Sequence, residues 1–284
     1  MPMNTVQIER RTLRAITLTT LLALLIVWGL AGGLMQYSRQ VMLNSAKTDL
    51  TRVIGNTETA LNRQLVSLDA LLAETATWTH DLHDGATPVA HIALDRQLLA
   101  ALNQNLMLRD VVIIGTQNRV LAAARPETKR LGLPAAGNFL EQVRLQAYPS
   151  LLISEPLTSD LYPEQVIYVA RSTRLTNGTV VAVVASVRAA LLSTELDPRD
   201  PSGATTVTLE SGDGRPLAVY PDQNTRASHN LHPALPDLHA DGQSIESRGR
   251  FTTDAALLTA RPLVYAGLWV SASQPVERAL SDWE

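Results

Sequence analysis

Val166–Leu196 reads VIYVARSTRLTNGTVVAVVASVRAALLSTEL, and this stretch decides the fold. Two runs rich in β-branched residues, predicted as strands over 165–175 and 179–188, flank the turn Thr176-Asn177-Gly178, a hairpin signal. A short helix over 189–196 closes the unit. Ala255–Trp283, AALLTARPLVYAGLWVSASQPVERALSDW, repeats the order: strand, Ala-Arg pair, turn, strand with a small-residue end, helix. Upstream of each, DVVIIGTQNRVLAA (Asp110–Ala123) matches TVTLESGDGRPLAV (Thr206–Val219) as strand, turn, strand. Two copies of one antiparallel α+β unit account for this pattern. They occupy 82–196 and 205–284, joined by the proline-rich linker 197–204.

Within the first copy, 80–88 is a loop, and 91–106 a helix with Leu94, Leu98, Leu99, Leu102 and Leu106 on one face. A further helix spans 139–147, a strand 151–154, and a polar loop 155–164. In the second copy a long polar loop runs from 221 to about 249, and 275–283 is the closing helix.

Further out, the N-terminal side is helical. Residues 15–38 form one charge-free, mostly apolar run between Arg14 and Arg39. At about 1.5 Å per residue it spans roughly 36 Å, enough to cross a bilayer core. A cleaved signal has a shorter apolar core and a small-residue cleavage site. LMQYSRQ after Gly33 offers no such site, so the run is read as an uncleaved transmembrane helix. Arg10, Arg11 and Arg14 against Glu9 favour a cytoplasmic 1–14, with the large domain in the periplasm of a bacterial inner membrane.

Residues 39–81 contain no proline and only Gly55 as glycine. Leu50, Ile54, Leu61, Leu65, Leu68, Leu72 and Ala76 recur at spacings of three, four and seven, the mark of a long amphipathic helix leaving the membrane. Its stripe suits packing on its own domain or a homodimer seam with a partner helix, and Thr57 and Gln64 interrupt it.

Composition narrows the function. A net charge of −3, with no basic cluster interleaved with aromatics, gives no reason to expect nucleic acid. Cysteine is absent, which excludes disulfides and cysteine-ligated zinc or iron–sulfur sites. No G-x-S-x-G, P-loop, H-E-x-x-H or G-x-G-x-x-G sequence occurs, so no catalytic residue is assigned and the chain is not read as an enzyme. His80, His83 and His91, and separately His229, His232 and His239, lie in polar regions without a carboxylate set. They are read as solvent-facing, and no metal or other cofactor is expected.

DVVIIGTQNRVLAAARPE, LLISEPLTSDLYPEQVIYVARSTRLTNGTVVAVVASV, VTLESGDGRPLAVYP and the closing ARPLVYAGLWVSASQPVERALSDW, in this order behind a membrane helix and a long helix, resemble the double Cache (tandem PAS-like) sensor domains of bacterial receptors. Ile153, Ser154, Pro156, Val166, Ile167, Arg171 and Val183–Ala185 carry the likeness. It covers about residues 36–284. The resemblance implies a ligand-sensing region with a membrane-distal and a membrane-proximal unit. Such regions usually lie between two membrane helices and drive a cytoplasmic diguanylate cyclase, histidine kinase or chemoreceptor module; the second helix would follow the closing one here. The Tyr/Arg/Trp constellation of the amino-acid-binding members is not intact, since no tryptophan lies between Trp78 and Trp269.

From the residues themselves, the candidate ligand contacts flank the distal hairpin: Tyr148, Asp160, Tyr162, Tyr168 and Arg171. An arginine fork beside tyrosines and an aspartate suits a small carboxylate or amine. The expected function is small-molecule sensing in the distal unit of a signal-transduction receptor. The alternative is a membrane-anchored protein-interaction module without a small-molecule ligand.

Overall fold

The computed structural model describes residues 3–81, 88–133, 137–159, 162–200, 203–221, 231 and 242–281. One helix, α1 (Met3–Thr77), runs unbroken for 75 residues. Its early apolar side chains, Leu18 to Tyr37, are exposed all round the helix, as lipid-facing residues of a membrane span would be. From Leu50 onward the pattern changes: Leu50, Ile54, Leu61, Leu65, Leu68 and Leu72 are all buried against the chain's own sheets. Intramolecular packing therefore occupies this stripe, and it is not available as a seam for a partner helix. The interruption at Thr57 is resolved locally, because the Thr57 hydroxyl donates to the Val53 carbonyl one turn back (3.0 Å).

The distal unit begins with α2 (Pro88–Gln104). It continues through β1 (Leu108–Ile114), β2 (Val120–Ala123), α3 (Pro126–Leu131), α4 (Gly137–Leu145), β3 (Leu152–Ile153), β4 (Leu157–Ser159), β5 (Tyr162–Arg174), β6 (Val180–Arg188) and α5 (Ala189–Glu195). Its antiparallel sheet has the order β2-β1-β6-β5-β3, with β4 also on β5. The proximal unit holds β7 (Thr206–Ser211), β8 (Pro216–Tyr220), β9 (Ile245–Arg248), β10 (Ala255–Pro262), β11 (Leu268–Pro275) and α6 (Val276–Ala279), in the order β8-β7-β11-β10-β9. Leaving out β4, both sheets read second, first, last, fourth, third. The sequence repeat is thus a repeat of topology. The β5–β6 turn forms at Asn177-Gly178, where Gly178 takes φ +82° and the Asn177 side chain accepts the Thr179 N–H.

Several elements depart from the expectations. Helix α3 was not anticipated, although Pro126 at its first turn, Lys129 and Arg130 in its last turn and left-handed Gly132 behind it are helix boundary signals. The expected loop 155–164 contains β4 and the start of β5, and the expected loop 221–249 contains edge strand β9. On α2, Leu94, Leu98 and Leu102 are buried, but Leu99 and Leu106 are exposed. The closing helix α6 is shorter than expected, and 282–284 lie outside the described residues.

Polar rungs fasten α1 along the proximal sheet. Lys47 pairs with Glu246 (3.1 Å), Thr51 donates to the Gly242 carbonyl (3.3 Å), Arg261 pairs with Glu58 (3.0 Å), and Asn62 accepts the Val264 N–H (2.9 Å). The fifth rung belongs to both units: Asp69 pairs with Arg171 of β5 (2.5 Å) and hydrogen-bonds Tyr265 of the β10–β11 turn. Burial first, then Asp69, push the Tyr265 phenol up to about 12. A separate ion pair, Arg215 to Glu155, ties the β7–β8 turn to the β3–β4 loop. We expect Asp69→Asn and Arg171→Gln each to cost about 1–2 kcal/mol, with a coupling of about 1 kcal/mol in a double-mutant cycle read by chemical denaturation.

Candidate functional site

Successive residues of a strand point to opposite faces. On β5, Ile167 and Val169 pack toward α1, while Val166, Tyr168 and Ala170 pack on the outer face of the distal sheet. Arg171 follows the first set and reaches Asp69, so it and Tyr168 serve different faces. Tyr148 is 82 % exposed in the loop before β3. Tyr162 opens β5, and Asp160 lies outside the described residues. Of the five candidates, the structure places Tyr168 in the interior of the outer face and holds Arg171 on the α1 side.

Register assembles what surrounds Tyr168. Asp110 of β1 lies opposite Ser186 of β6, and Ser186 lies opposite Tyr168 of β5. Carboxyl, hydroxyl and phenol therefore form one row across three strands, and all three residues are fully buried. The alternating residues Val112, Ile114, Ala182 and Val184 continue this face as an apolar patch, covered by Phe139, Leu140 and Val143 of α4. Beyond the row, Glu164 bridges Arg188 (3.4 Å) and Arg109 (3.7 Å). One end of the outer face is polar and the other is filled.

Helix α3 closes the polar end. The Asp110 carboxyl accepts the Val111 N–H (2.8 Å) and a hydrogen bond from Thr128, with the Arg125 charge nearby. Arg125 is held by donating from Nε to the Arg109 carbonyl (2.7 Å). Burial nevertheless dominates and raises the Asp110 pKa above the usual carboxylate value, against Thr128, Val111 and Arg125, which lower it. Ser186 Oγ has no hydrogen-bond partner among the described residues. A buried hydroxyl without a partner is uncommon, and this one sits between a carboxyl and a phenol.

The row also touches the junction between units. Ser154 donates its N–H to the Tyr168 carbonyl (2.8 Å), accepts the Tyr168 N–H on its hydroxyl (2.9 Å), and donates that hydroxyl to the Glu155 carbonyl (2.8 Å). Glu155 is the residue that grips Arg215 of the proximal unit. Sequence reasoning missed Asp110, Ser186, Glu164 and Thr128. The visible signal was a charge or hydroxyl at the outer-face position of an otherwise apolar strand, in RDVVIIG and VVAVVASVR.

Among the described residues no three His, Asp or Glu side chains could hold a metal ion. His83, His229, His232 and His239 lie outside the described residues.

Two antiparallel sheets of one strand order strung along a single long helix define the fold, a tandem α+β arrangement like that of double Cache domains, behind one N-terminal helix long and apolar enough to cross a membrane. Solved structures supply the particulars. The extracellular domain of rpHK1S-Z16, a histidine kinase by its description, superposes with a TM-score of 0.66 at 20 % identity, over 85 % of this chain and 99 % of that one. The ligand-binding domain of the Pseudomonas aeruginosa amino-acid chemoreceptor PctB, solved with L-Arg, gives 0.62 at 17 % identity over 83 % and 97 %. The sensory domain of the Campylobacter jejuni chemoreceptor Tlp3, solved with isoleucine, gives 0.62 at 9 % identity over 86 % and 98 %. These neighbours are sensory domains of receptors. No family model matches the chain. No curated protein matches it either.

Proposed function

We propose that this chain is the external sensor region of a membrane signalling receptor. It binds a small amine or carboxylate at the polar end of the distal outer face, and α1 carries the change across a bacterial inner membrane to a cytoplasmic output module. The observation behind the binding site is the buried Ser186 hydroxyl left without a partner between Asp110 and Tyr168. Two of the structural neighbours were solved with amino acids, which carry both groups. Asp110 offers an anion for an ammonium, and Arg109 and Arg188 offer guanidinium groups for a carboxylate. A ligand moves the equilibrium only by binding one state better, and Ser154–Glu155–Arg215 gives the distal site a direct mechanical link to the proximal unit.

The test is a thermal shift of the full chain in lipid nanodiscs against panels of amines, carboxylates and amino acids. A ligand at about 100 times its Kd adds about 2.7 kcal/mol, a shift of several degrees. Asp110→Asn is expected to weaken an amine ligand about tenfold or more. Because the Asp110 pKa is raised, amine affinity should also fall as the pH drops through that value, and Asp110→Asn should remove this dependence. A panel with no hits, together with capture of a periplasmic protein by the wild type, would favour the interaction-module reading instead.

A further inference from the structure

A concavity borders α3, the helix whose Thr128 hydrogen-bonds Asp110. It is a groove of about 660 Å³ between α2, the end of β2 and α3. Sites for small organic ligands usually measure about 300–1,000 Å³. Its walls combine two features. Ile92 and Leu99 of α2 are 52 % and 42 % exposed here, while Leu94 and Leu98 of the same helix turn into the core. Arg96 lies four residues after Ile92 and three before Leu99, so the three share one face of α2. Leu102 and Pro126 complete the apolar floor.

The charges are unbalanced. Four cations, Arg96, Arg125, Lys129 and Arg130, line the groove with two acids, Asp95 and Glu127. Asp95 is fully used: one oxygen accepts the Ala123 N–H (3.1 Å) and the other pairs with Lys129 (2.6 Å). Arg125 is engaged with the Arg109 carbonyl. Arg96 on α2 and Arg130 on α3 form no ion pair with a described residue, and neither does Glu127. The groove therefore offers an aliphatic floor and two guanidinium groups, one from each wall.

We propose that this groove binds an aliphatic carboxylate, its chain on Ile92, Leu99 and Leu102 and its head group between Arg96 and Arg130. The ligand comes from solution. From Ser38 to Thr77 the helix climbs about 58 Å, and α2 packs against the turn Trp78–Asp81 at its far end, which places the groove clear of the bilayer. An occupant would press on Arg125 and α3, and both Arg125 and Thr128 of α3 act on Asp110.

The experiment is hydrogen–deuterium exchange of the full chain in nanodiscs with decanoate, decylamine and decanol as probes, and empty nanodiscs to measure partition into lipid. Decanoate is expected to slow exchange in α2 and α3 severalfold. The double variant Arg96→Gln/Arg130→Gln, at exposed positions that leave the melting temperature unchanged, should lose that protection about tenfold in decanoate concentration. Leu99→Gln should weaken it as well. Equal protection by decylamine or decanol, or an undiminished response in the double variant, overturns the assignment, as does no protection at all. The readout at α2 is independent of any ligand at Ser186, so either site can fail alone.

Discussion

Arg250→Met is expected to destabilise the proximal unit by about 3–5 kcal/mol, the cost of leaving a buried charge without its counter-ion. Arg250, in the segment between β9 and β10, pairs with Glu210 of β7, and both side chains are 0 % exposed. Glu210 also accepts the Ser271 hydroxyl from the neighbouring strand β11. Burial raises the Glu210 pKa even with the guanidinium present, because desolvation outweighs Arg250 and Ser271. A carboxyl whose folded-state pKa lies above its unfolded value contributes stability below the unfolded value. That contribution is lost as the pH rises through the folded one. Removing Arg250 raises the folded value further. The deficit of the variant should therefore be largest near about pH 8 and shrink toward about pH 5, as Glu210 takes a proton. Apparent melting temperatures across this range check it. The double variant Glu210→Gln/Arg250→Met, which leaves no buried charge, should recover most of the loss. A single variant that melts within a degree of the wild type at all pH values would show that water reaches Glu210.

Leu72→Ala should cost about 2–5 kcal/mol, the usual range for truncating a fully buried leucine. Leu72 is wholly buried on α1 and stands one turn from Asp69, the residue that reaches both units. The loss combines the transfer of the removed methyl groups with a cavity that α1 cannot collapse, because rungs hold the helix at fixed levels. Chemical denaturation, followed by the fluorescence of Trp78 beside the core and of Trp269 in β11, measures it. Since one apolar core runs through both units along α1, the two signals should shift together. Separate transitions, with only the first displaced, would mean that the units fold independently.

The elements that were legible in the sequence are those whose signals are local. Unbroken helix propensity, period-four leucines and the Asn177-Gly178 turn gave α1 and the β5–β6 hairpin, and self-similarity gave the second unit. The candidate site was harder for a physical reason. Asp110, Ser186 and Tyr168 meet only through strand register, and a bulge between Leu108 and Asp110 resets the β1–β6 pairing. Nothing local to RDVVIIG reports which residue of a strand some 75 positions away lies opposite. The separation of Tyr168 from Arg171, in contrast, follows from their odd spacing on one strand. Edge strand β9 escaped notice because only Ile245 of its four residues, Ile-Glu-Ser-Arg, is apolar, as suits a solvent-facing edge.

The five rungs of α1 fall at residues 47, 51, 58, 62 and 69, alternating steps of four and seven along a single stripe. This spacing sets a rule for changes in helix length. One residue added between two rungs turns everything beyond it by about 100° and lifts it about 1.5 Å, so the next partner is missed; seven added residues restore the angle nearly completely but lift the helix about 10.5 Å, so the partner is missed there too. Between Ser38 and Lys47 no rung to another described residue constrains the helix. Residues added there leave both sheets undisturbed and only change the phase at which the membrane segment leaves the sensor, like re-indexing a shaft in its coupling.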